Sequence, residues 1–136
     1  MPKSFETALA TLHARHVDAK AGFDVMVDRA KPGFKPVATR FRDFHAEQAR
    51  AIAALLPEGA RKDGSFMSTV NRTVVRLRDI FDELDEHVMK HIRSGEEWVH
   101  TAYLDAIELA PPDARAVLVD GMVQLETLIA DTRRQD

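Results

Sequence analysis

The side chains best suited to chemistry here are six histidines and a scatter of carboxylates, with no cysteine among the 136 residues. Glu97 and His100 form a Glu-x-x-His pair, the spacing that places a carboxylate and an imidazole on one helix face, as metal sites in helical bundles require. About 100° of rotation per residue, however, turns both away from the apolar stripe Leu84, Val88, Val99 and Ala102, so this pair is expected to face solvent. His16 lies between Leu12 and Ala19, inside the first apolar stripe, and Gln48 holds the matching place between Phe44 and Ile52. These two are expected to be a buried polar pair at one height, each satisfying the other, because an unpartnered buried polar group is costly. A ligand role for His16 is the competing reading. Gly95 and Gly121 fall on inward positions, for close helix approach or for a small cavity beside the polar pair. His87 and His91 have the i, i+4 spacing of a shared face. The last segment has no histidine to join them, which argues against a hemerythrin-like centre. His13 and His45 sit at stripe edges, where partly exposed roles are commoner.

Signatures of other chemistries are missing. The chain has no glycine-rich phosphate loop, His-Glu-x-x-His or nucleophile elbow. Without cysteine there is no disulfide framework, thiolate metal site or thiol nucleophile. A net charge of -3 with both signs interspersed offers no footprint for nucleic acid or an anionic membrane. No segment reads as a signal peptide or a membrane span, so the expected compartment is the cytoplasm.

The elements that must position these residues are helical throughout. Leu9, Leu12, Ala19, Phe23, Met26 and Val27 step by threes and fours, with Ser4 placed to cap the start, up to the break at Lys31-Pro32-Gly33. Val37, Phe41, Phe44, Ile52 and Leu55 form a second face, which starts near Pro36 and stops at Pro57. A polar loop over 57–65 leads to a short segment with Phe66, Val70, Val74, Leu77, Ile80 and Phe81 inward. Leu84, Val88, Ile92, Trp98, Val99, Ala102 and Ala106 mark a long helix closed at Pro111-Pro112, and Val117, Leu118, Met122, Leu125, Leu128 and Ile129 mark the last. The length suits one domain spanning 1–136. Two antiparallel hairpins joined by a crossover with a short extra helix make an all-α four-helix bundle.

The run Asp18-Ala19-Lys20-Ala21-Gly22-Phe23, the stretch from Phe41 to Leu55 with Glu47, and Gly64-Ser65 to Arg72 resemble bacterial ferritin-like four-helix-bundle proteins of unknown function, distantly related to rubrerythrins. Ser94-Gly95-Glu96-Glu97 with Tyr103, and Pro111-Pro112-Asp113, extend the resemblance over nearly the whole chain. The resemblance implies a ferritin-like fold, self-association and a link to stress responses, with no agreed activity. It singles out Asp18, Glu47, Glu96 and Glu97 as acids to test; with His100 of the Glu-x-x-His pair, Glu47, Glu96 and Glu97 are the metal candidates. Arg50 stands where a di-iron pattern would put histidine after Glu47. The expectation is a non-catalytic bundle, a homo-oligomer such as a dimer, that acts by self-association or by binding another protein, with no cofactor. The alternative is an oxidoreductase or metal-storage protein holding iron or another divalent metal in a degenerate di-metal site.

Overall fold

The computed structural model describes residues 2–57 and 89–133, with side chains over 5–57 and 89–132. The expected loop and short helix over 57–81, and His87 with its i, i+4 partner spacing, lie almost wholly outside these residues. Four helices are described: α1 (Pro2–Arg29), α2 (Lys35–Ala53), α3 (Met89–Leu109) and α4 (Pro112–Arg133). No strand occurs among the described residues.

Each helix end follows from local chemistry. Helix α1 starts at Pro2, so Ser4 lies within it and not at its cap. It closes through Ala30 N–H donating to Met26 O at 2.7 Å, just before Pro32 removes a donor and Gly33 opens the turn. Phe34 N–H and Lys35 N–H both donate to Lys31 O, which carries the chain straight into α2. Pro36 sits in the first turn of α2, where its missing N–H costs nothing. Pro112 does the same for α4, with Asp113 beside it to meet the positive helix end.

Helix α1 packs on α2 and α3, α3 packs on α4, and α4 meets α2. Leu9, Leu12, Phe23, Phe41, Ile52, Tyr103, Leu118 and Leu125 fill the space between them. Phe23 stacks on Phe41 at 5.1 Å and on the His45 ring at 5.6 Å, tying the middle of α1 to α2.

The inward faces of α3 and α4 depart from expectation. On α3 the buried positions are Met89, Ile92, Glu96, Val99, Tyr103 and Ala106, with Ala102. Trp98, expected inside, is 46% exposed, and Arg15 lies over its ring at 4.1 Å while donating to its carbonyl oxygen. On α4, Ala114, Leu118, Gly121, Leu125, Leu128 and Thr132 are buried, while Val117 is exposed and Met122 and Ile129 are half-buried. Gly95 is exposed, with nothing within 4 Å of where a Cβ would lie, so it provides no close approach.

Candidate functional site

At mid-height the apolar filling gives way to a line of hydrogen-bonded polar side chains drawn from three helices. Glu96 Oε1 of α3 lies 2.7 Å from His45 Nε2 of α2. His45 Nδ1 lies 2.8 Å from His16 Nδ1 of α1, and His16 Nε2 lies 2.9 Å from the Tyr103 hydroxyl of α3. That hydroxyl donates to Gln48 Oε1 of α2 at 3.0 Å. His16, His45, Glu96, Gln48 and Tyr103 are all buried. Phe23 stacks on one side of His45, and the Phe44 ring stands edge-on to both imidazoles.

Helix α4 contributes an absence of side chain. A Cβ added at Gly121 would overlap Gln48 Oε1 and lie 2.7 Å from the Tyr103 hydroxyl. Gly121 is therefore a close-approach glycine, and Gln48 and Tyr103 fill the space where a ligand cavity was conceivable. His16 and Gln48 do not bond each other directly; each bonds the Tyr103 hydroxyl.

The electrostatics follow from burial. Loss of solvent pushes the His16 imidazole well below its ordinary pKa, and neighbouring His45 and His13 push it the same way. Burial likewise lowers His13. The Tyr103 phenol is raised far above its usual range by burial, with Glu96 and Asp120 adding to the effect. His16 is thus neutral and Tyr103 keeps its proton. Glu96 Oε2 is buried and makes no hydrogen bond.

The four candidate metal ligands are not brought together. Glu96 is in the core, Glu47 and Glu97 are exposed, and His100 pairs at the surface with Glu126 Oε2 at 2.9 Å. Asp18 is buried on α1. The two core histidines point Nδ1 at each other at hydrogen-bond distance, leaving no gap for an ion between them. Among the described residues no group of three or more His, Cys, Asp or Glu side chains is arranged to hold a metal ion.

Two members of the line were not anticipated as a site. His45, expected near the surface, is fully buried, and Tyr103 is the joint of the whole arrangement. A signal was available: Met89, Ile92, Glu96, Val99, Tyr103 and Ala106 step 3, 4, 3, 4, 3, an unbroken inward stripe with Glu96 at a core position.

The fold and site together define an all-helical bundle protein with a buried, hydrogen-bonded polar centre. The chain belongs to a domain family of unknown function, DUF2383, which matches residues 4–109. No curated protein and no solved structure matches the chain.

Proposed function

We propose that this chain is a ferritin-like bundle whose work is done by its surface, through pairing with a second copy along α4. Ferritin-like topology is supported by how contacts run. Numbering rises on one helix and falls on the other for His16–His45 with Phe23–Phe41, and for Arg40–Asp131 with Gln48–Gly121. It rises on both for His45–Glu96 with Gln48–Tyr103. Helices α2 and α3 therefore run the same way, the relative direction found in bundles of two hairpins with one crossover.

The observation that carries the pairing is a second stripe on α4. Outside its buried stripe, Ala116, Val119, Val123, Thr127 and Ala130 are exposed at helical spacing, with Val123 at 50%. Apolar rows left in water mark interfaces. A two-fold contact must be self-complementary, with each residue meeting its reflection. Reflected about Val123, Ala116 meets Ala130, Val119 meets Thr127 and Arg115 meets Asp131. The like-charged pair in this register, Asp120 and Glu126, is held on each copy by Gln124 and His100 respectively. A groove of about 330 Å³ between α2 and α4, bordered by Val123 and floored by Phe44 and Leu128, leaves room for a partner side chain. Sedimentation of the wild type and Val123→Glu tests this. A two-chain mass falling to one chain in the variant, with helical dichroism unchanged, is expected; a single-chain mass for the wild type at every concentration contradicts it.

A further inference from the structure

The polar line supports a second property, independent of pairing, that follows from counting its protons. Tyr103 has one hydroxyl hydrogen and donates it to Gln48 Oε1, so the contact with His16 Nε2 requires the imidazole to donate. A neutral His16 with its hydrogen on Nε2 has a bare Nδ1, so His45 must donate from its own Nδ1. The contact between His45 Nε2 and Glu96 Oε1 then needs one more hydrogen, lying on either atom. The His45–Glu96 pair in this state carries no net charge, which fits a carboxyl whose second oxygen is buried without a partner.

Removing one hydrogen from the line as a whole does not break it, because the remaining hydrogens redistribute. His45 donates from Nε2 to a Glu96 carboxylate, His16 donates from Nδ1 to His45, and Tyr103 donates to His16 Nε2. The Tyr103 oxygen then needs a donor, which the Gln48 amide supplies after turning over to present its NH2. Every contact is kept, and the donor is reversed at His45–His16, His16–Tyr103 and Tyr103–Gln48.

We propose that this line is a one-proton switch, in which uptake of a single proton at His45–Glu96 reverses the hydrogen bonds through His16 and Tyr103 and turns over the Gln48 amide against Gly121 of α4. The proton's arrival on α2 and α3 is thereby read on α4. Among the described residues, the ionisable groups near it are His13 of α1, Tyr103 and Glu96 of α3, and Asp120 of α4. Asp18, two residues from His16, lies about 200° round α1 from it. The Tyr103 phenol keeps its hydrogen in both states, so the device stores a proton and does not conduct one.

Imidazole nitrogen resonances of the folded chain, followed from roughly pH 4 to roughly pH 9, test this. The expected result is that His16 moves its hydrogen from Nε2 to Nδ1 and His45 frees its Nδ1 as pH rises, both with one midpoint. Glu96→Gln, neutral and of the same shape, is expected to abolish the step. A single His16 tautomer across the range, separate midpoints for the two rings, or a step that survives in Glu96→Gln would each overturn the switch. The wild-type titration decides the matter even if the variant does not fold.

Discussion

Glycine shows most sharply how one atom is decided by its surroundings. At Gly121 a methyl group would overlap Gln48 Oε1 and crowd the Tyr103 hydroxyl, both buried and bonded to each other. The helix propensity of alanine is worth about 1 kcal/mol, whereas overpacking a filled core costs about 1–3 kcal/mol. Gly121→Ala is therefore expected to lower unfolding free energy in urea, by up to about 2 kcal/mol. Gly95→Ala, in open space on α3 and with ordinary backbone angles, should raise it by about 0.5–1 kcal/mol. Tyr103→Phe leaves His16 Nε2 and Gln48 Oε1 buried without their partner, and a loss of about 2–3 kcal/mol is expected in the same measurement. His16 supplies the pH dependence. Its folded pKa is depressed, so its stabilising contribution is complete above the unfolded value near pH 6.5 and declines as pH falls below it. Nitrogen spectra at about pH 6, where more than half of free imidazoles are charged, should find His16 with a single hydrogen.

At the scale of helices, most of the architecture could be read from periodicity, and the departures have one cause. Breaks at Pro32-Gly33 and Pro111-Pro112 fell where expected because proline and glycine act through local backbone geometry. The inward face of α3 was misassigned because a stripe built from apolar residues alone admits Trp98 and skips Glu96. Burial instead follows the 3, 4 spacing, and Glu96 is tolerated inside only because His45 of a distant segment meets it. No local pattern announces a partner that is 51 positions away. His45 was lost for the same reason, since a polar residue beside a stripe normally turns outward. Helix α4 offers a direct check on which face is core. Leu118→Ala, at a fully buried position, should cost about 2–5 kcal/mol in thermal or urea unfolding. Val117→Ala, 39% exposed one position earlier, should fall within about 0.5 kcal/mol of the wild type.

For the whole molecule, the large apolar side chains left in water, Trp98, Leu104, Leu109, Val117, Val119 and Val123, all lie on α3 and α4 among the described residues. Helix α1, by contrast, is buried or half-buried at most positions from Ala8 to Val27. The centre is closed by its own hydrogen bonds, and no described helix is long and apolar enough to cross a membrane. The pairing proposed along α4 uses part of this exposed surface. The register about Val123 can be tested chemically because the chain has no cysteine of its own. Val123→Cys places one thiol per chain at the proposed two-fold axis, where helices in contact pack about 8–10 Å apart and a disulfide can close. Val117→Cys puts the thiol off the axis on the same helix. Under mild oxidation, Val123→Cys is predicted to run as a two-chain band on a non-reducing gel while Val117→Cys remains single. Equal cross-linking of the two, or none in either, would contradict pairing along α4.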